Sequence, residues 1–98
     1  MHPVVKNIID QLKPFDAEMI ILFGSYAVGN YRKDSDVDLL IIKKTDEPFL
    51  ERQKRARLLL RTTTPVDLFV LTPEEFESAK KNNLLIREAV ETGTIVYT

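Results

Sequence analysis

The chain has 98 residues, 44% of them hydrophobic, 8% aromatic and 30% charged, with 14 Lys and Arg against 15 Asp and Glu for a formal charge of −1. These figures describe one globular domain, residues 1–98, and exclude a disordered acidic tail, a collagen-like repeat and a global attraction for nucleic acid. With no cysteine and one histidine, His2, there is no disulfide scaffold, no thiolate or histidine zinc site and no Ser-His-Asp triad, so chemistry falls to carboxylates, hydroxyls, backbone and basic side chains.

Pro3 opens a helical pattern through Val4, Val5, Ile8, Ile9 and Leu12, and Pro14 stops it. Glu18 to Phe23 and Val37 to Ile42 are short apolar runs, β-branched in part, whose length predicts buried strands. Pro48 to Arg61 predicts a helix with Phe49, Ala56, Leu59 and Leu60 inward, and Pro65 to Leu71 a third buried strand. Thr72-Pro73-Glu74-Glu75 spells a helix start, with a threonine cap, proline in the first turn and a glutamate that reaches back to the cap. That helix continues through Phe76, Ala79, Leu85, Ile86, Ala89 and Val90, with Asn82-Asn83 as a candidate break. Gly93 is expected to end it with a left-handed cap, and Thr94 to Tyr97 to form a last strand. Strands alternating with helices predict an α/β domain with a mixed sheet. No apolar run approaches the roughly 20 residues of a membrane helix. The first residues meet Lys6 too early for a signal peptide, so the expected address is cytoplasmic.

The chemistry concentrates between Gly24 and Leu39, where the chain leaves one strand at Gly24-Ser25 and enters the next at Asp36-Val37-Asp38. Alternate residues of a strand share a face, so Asp36 and Asp38 point one way while Val37 and Leu39 point into the core. Asp67 is a third acid inside the apolar run PVDLFVL. If its strand lies beside the other, three carboxylates converge. Each pair at about 6 Å repels by roughly 3 kcal/mol at an effective dielectric of about 20. Three such pairs approach the stability of a small domain, about 5–15 kcal/mol. The cluster then calls for a cation or for raised carboxylate pKa values, and oxygen-only ligation favours Mg²⁺ or Mn²⁺. The plainer alternatives are turn residues at Asp34 and Asp36 and arginine ion pairs at Asp38 and Asp67. Gly24-Ser25 offers backbone N–H groups and a hydroxyl to a phosphate, although the same pair is an ordinary strand-to-helix corner.

The string G24-S25-x-A27-x-G29 followed by S35-D36-x-D38-L39 resembles the Gly-Ser…Asp-x-Asp motif of polymerase-β-type nucleotidyltransferases. In length and element order the whole chain is similar to a minimal nucleotidyltransferase (MNT) domain. The resemblance implies a mixed sheet of about four strands flanked by helices. It implies that Gly24 and Ser25 hold the triphosphate of ATP, that Asp36 and Asp38 bind two Mg²⁺ ions, and that Asp67 binds one of them and helps activate the attacking hydroxyl. Such domains transfer AMP, and minimal members pair as antitoxins with a HEPN-domain toxin whose tyrosine they adenylylate. Two departures stand out. Tyr26 and Val28 occupy positions where many relatives carry arginine, with Arg32 and Lys33 the nearest substitutes, and no second domain follows to complete the site. The resemblance thus points to completion by the partner or by a second copy in a homo-oligomer.

Two other functions compete with protein adenylylation. One is a non-catalytic antitoxin that neutralises a HEPN ribonuclease by binding alone. The other is nucleotidyl transfer to RNA or to a small molecule, against which the near-neutral charge and the missing second domain argue. Lys54, Arg57 and Arg61 share a helical face, but a solvated surface helix explains them better than a binding stripe does. Tyr26, Tyr31 and Tyr97 are read as packing residues.

Overall fold

The apolar runs become the strands of a four-stranded mixed sheet in a computed structural model that describes residues 1–98. The strands are β1 (Met19–Phe23), β2 (Val37–Ile42), β3 (Val66–Leu71) and β4 (Thr94–Tyr97), in the order β3-β2-β1-β4. β1 is antiparallel to both β2 and β4, and β2 is parallel to β3. A parallel pair needs a crossover, and α3 (Phe49–Leu58) lies within it.

Helices cover both sheet faces, which is why the strands read as continuous apolar runs rather than alternating ones. One face carries Val37, Leu39 and Ile41 of β2 into the main core. Val5, Ile8, Ile9 and Leu12 of α1 (Pro3–Leu12) join them there, with Ala56 of α3. The opposite face carries Leu40 and Ile42, packed with Ile21, Phe23 and with Ile86 and Ala89 of α5 (Leu84–Thr92). Asp38 shares the pleat of Leu40 and Ile42, so it projects on the α5 side. No helix is long and apolar enough to cross a membrane.

The expected boundaries hold to within a residue or two at the strands, and Asn83 does divide the last helical stretch. Asn83 is extended, ends α4 (Pro73–Asn82), and caps α5 by accepting from the Ile86 N–H at 3.2 Å. The start of α4 is the anticipated capping box. Thr72 Oγ1 accepts from the Glu75 N–H at 3.2 Å, and Glu75 Oε1 accepts from the Thr72 N–H at 2.9 Å.

Two expectations fail. Phe49 is 45% exposed, and the buried residues of α3 are Arg52 and Ala56. Arg52 enters because Glu75 meets it with two hydrogen bonds, at 2.6 and 2.9 Å, so its charge is matched where it is buried. Gly93 is not left-handed; its φ is −82° and ψ 172°. Its requirement is space, because a Cβ there would strike the Ala89 carbonyl and lie 2.8 Å from both Ile21 Cγ2 and the Leu22 carbonyl.

α3 also seals the outer edge of β3. The Gln53 side-chain amide donates to the Val70 carbonyl at 2.9 Å and accepts from the Val70 N–H at 2.7 Å, taking the place of a neighbouring strand. Arg57 Nη1 donates to the Val66 carbonyl at 3.1 Å. A row of edge groups that invites pairing with another chain is thereby occupied at two places.

Candidate active site

β1 ends where the backbone turns away from the sheet at Gly24, and α2 (Ser25–Val28) is a single turn closed by Gly29. Gly24 has φ +74°, a conformation that favours glycine. The Asp38 carboxylate leans against this corner so closely that a Cβ on Gly24 would overlap Asp38 Oδ2 and lie 3.1 Å from its Cγ. The glycine therefore lets an acid from the neighbouring strand approach the backbone turn. Gly24→Ala should cost about 1–3 kcal/mol from the positive φ and the collision together. At about 4–8 °C per kcal/mol for a chain of this size, a thermal melt resolves that loss. An unchanged melting temperature would mean that the turn relaxes freely.

Asp38 of β2 and Asp67 of β3 are directly opposed in the parallel register. Asp38 is half-buried and Asp67 exposed. Burial, then the charge of Asp67, then that of Asp36, then hydrogen bonding to Asp67 push the Asp38 carboxyl up to about 6. No ion pair in the structure involves Asp36, Asp38 or Asp67. The arginine-partner alternative for Asp38 and Asp67 thus finds no support.

The pair faces a cleft of about 530 Å³ that also admits Gly24, Ser25 and Asn30 from the turn, and Leu85, Glu88 and Thr92 from α5. Phe23, Val28 and Phe69 complete its lining. The cleft brings together four of the five residues expected from sequence: Gly24, Ser25, Asp38 and Asp67. Asp36 is exposed, precedes β2 and does not line the cleft, although its charge is felt at Asp38. No three acids are gathered at metal-ligating distance, so the expected three-way convergence is a pair with a third acid beside it.

That pair nevertheless suits a hard divalent cation. Two opposed carboxylates without a basic neighbour, one holding its proton to about 6, are the electrostatic state that a cation relieves. Asp38 and Asp67 are the residues that would hold it, and Asp36 is a further acid whose charge reaches Asp38.

The arginine-free positions have different fates. Tyr26 turns from the cleft and stacks on Tyr31, with centroids 4.6 Å apart and planes within 2°, while His2 meets both rings edge-on. Val28 is 56% exposed and lines the cleft. Arg32 and Lys33 are exposed and do not line it. Its charged lining is acidic throughout: Asp38, Asp67 and Glu88. Sequence reasoning missed Asn30, Phe69, Leu85 and Glu88. None of these carries a signal: Leu85 and Glu88 lie three residues apart on one helix face, but nothing in the sequence marks that face as facing the acids.

Comparison with known proteins identifies the family and the fold. A family model described as a nucleotidyltransferase domain matches residues 4–96. Two Methanocaldococcus jannaschii proteins, each named a "putative protein adenylyltransferase", are similar. One is 36% identical over 78 residues, covering 80% of this chain and 76% of the relative. The other is 40% identical over 53 residues, and the match spans only 54% of either chain. A crystal structure from Sulfolobus solfataricus, named likewise as a nucleotidyltransferase, covers 97% of this chain and 78% of its own at a TM-score of 0.66; its 22% identity speaks to the fold alone. A chain in a crystal structure of a toxin–antitoxin with AMP-PNP covers 94% of this chain and 72% of its own, at a TM-score of 0.62 and 26% identity.

Proposed function

The chain belongs to the nucleotidyltransferase domain family, and on that premise we propose that it is a Mg²⁺-dependent adenylyltransferase that moves AMP from ATP onto a tyrosine hydroxyl of a partner HEPN-domain toxin, acting as its antitoxin. The observation that carries the reading is the carboxylate pair Asp38–Asp67 lining one cleft with the Gly24-Ser25 turn, against which Asp38 leans. The relatives named as protein adenylyltransferases and the toxin–antitoxin neighbour with AMP-PNP support a protein acceptor, a toxin as partner and an adenine nucleotide as donor.

The division of labour follows the order of the strands. The turn after β1 presents the Ser25 hydroxyl and backbone N–H groups to the β- and γ-phosphates. Asp38, on β2, would hold the cation together with Asp67, with the charge of Asp36 close enough to be felt at Asp38. Asp67, on the far strand, accepts the proton of the incoming phenol. The phenol oxygen then bonds to the α-phosphorus, the bond from that phosphorus to the β-phosphate oxygen breaks, and pyrophosphate leaves. Mg²⁺, when bound, neutralises charge on the phosphates and on these acids. A small acceptor would need its own pocket, whereas a docked protein brings its positioning with it.

Isothermal calorimetry tests the nucleotide half of this reading. Wild-type protein should bind ATP in Mg²⁺ and lose most of that affinity in EDTA. Asp36→Asn/Asp38→Asn should show the weak binding in both buffers. Metal-independent binding, or a double variant that binds like wild type, contradicts the assignment.

A further inference from the structure

We propose that the α5 wall of the cleft selects the acceptor, and that Glu88 recognises a basic residue flanking the hydroxyl-bearing side chain. The inference rests on the adenylyltransferase reading and specifies which acceptor segment that site takes.

In-line displacement places the acceptor opposite the leaving pyrophosphate. The phosphate turn follows β1, and Asp67 lies two strands away on β3. The acceptor therefore enters over the β3 side, next to Asp67. Phe69 stands two residues beyond Asp67 on the same pleat, half-buried and open to the cleft. Leu85 and Glu88 of α5 line the same cavity three residues apart, on one face of their helix. Leu85 leaves 44% of its surface exposed there. An aromatic ring fits between these apolar groups better than a short aliphatic hydroxyl does.

Glu88 supplies the second element. Its side chain forms no ion pair and no hydrogen bond, and its backbone carbonyl accepts from Thr92 Oγ1 at 2.9 Å. A carboxylate in a triphosphate cleft repels the nucleotide, so Glu88 does not serve the phosphates. With a cation held by Asp38 and Asp67, Glu88 of α5 would be the remaining acid of the cleft lining, its charge free for the acceptor. A lysine or arginine beside the acceptor tyrosine is the group that this charge suits.

Two synthetic peptides test this, identical except that the tyrosine is flanked by lysines in one and by glutamates in the other. Each is incubated with the protein, Mg²⁺ and ATP, and AMP–peptide is quantified by mass spectrometry. The readout is the ratio of kcat/KM for the two peptides within one protein, so effects on the nucleotide cancel. Wild type should favour the lysine peptide by about fivefold or more, in keeping with one partly exposed ion pair. Glu88→Gln should bring the ratio near one, and Glu88→Lys should reverse it. A preference that survives Glu88→Gln, or no preference in wild type, overturns the proposal. Labelling of neither peptide by a protein that binds Mg²⁺–ATP refutes the acceptor seat and leaves the nucleotide reading standing. Absence of Mg²⁺–ATP binding refutes both.

Discussion

Asp38→Asn should act in opposite directions on activity and stability. AMP transfer should fall by roughly 10³-fold or more, because the variant removes a cation ligand beside the reacting phosphate. The metal-free protein should become more stable at neutral pH. The folded Asp38 carboxyl has its pKa raised from 3.8 to about 6, first by burial and then by Asp67 and Asp36. The native state thus binds more protons than the unfolded state between these values. Wild-type stability therefore falls as pH climbs from about 4 through 6, and the penalty is complete above that window. The full shift corresponds to about 3 kcal/mol, which solvent screening at this half-buried carboxyl reduces to about 1–2 kcal/mol. Chemical denaturation in EDTA at pH 4 and pH 7.5 reads both limits. The variant's advantage should appear at the higher pH and vanish at the lower. If Asp38 were half of a structural ion pair, the variant would be the less stable protein at pH 7.5.

The largest purely structural loss is expected at Glu75→Gln. Arg52 is 4% exposed, and Glu75 supplies its two charged hydrogen bonds. Arg52 Nε is buried without a partner, so nothing stands ready to replace the lost carboxylate. Removing that charge strands a buried guanidinium, at a cost of about 2–3 kcal/mol given that Glu75 itself is partly exposed. Glutamine preserves much of the capping geometry at Thr72, so the loss separates the ion pair from the cap. Arg52→Met, which takes out the buried charge instead, should cost less than Glu75→Gln; equal losses would assign the stability to packing around Arg52. Hydrogen bonding to Arg52 lowers the Glu75 pKa below its usual 4.5. This contribution is present above that value and is lost as the pH falls through the lowered one.

The strands were legible because each is a short apolar run bounded by Gly, Pro or charge, and burial on both faces made the runs of β1 and β2 nearly unbroken. The pairing of Asp38 with Asp67 was legible as a consequence of the parallel β2–β3 register, but only conditionally, since sequence does not give strand order. Gly24 was singled out for phosphate binding; its close approach to Asp38 depends on a turn whose conformation no local pattern encodes. Arg52 was missed because a charged residue amid the polar stretch ERQKRAR reads as surface until Glu75, 23 residues later, is brought against it. The failure at Gly93 has the same origin: what crowds it is the β1 strand, far away in the chain. Glu88 was invisible as a site residue because α5 carries its acids on a face that only the sheet's acids make significant.

Intact-protein mass spectrometry of the partner toxin, after incubation with this chain, Mg²⁺ and ATP, tests the central claim most directly. The account predicts a gain of one adenylyl group at a tyrosine, absent with Asp36→Asn/Asp38→Asn, together with loss of toxicity only when the tag is present. Toxin that is neutralised equally by wild type and by the double variant, with no AMP on either chain, would contradict it and establish neutralisation by binding alone.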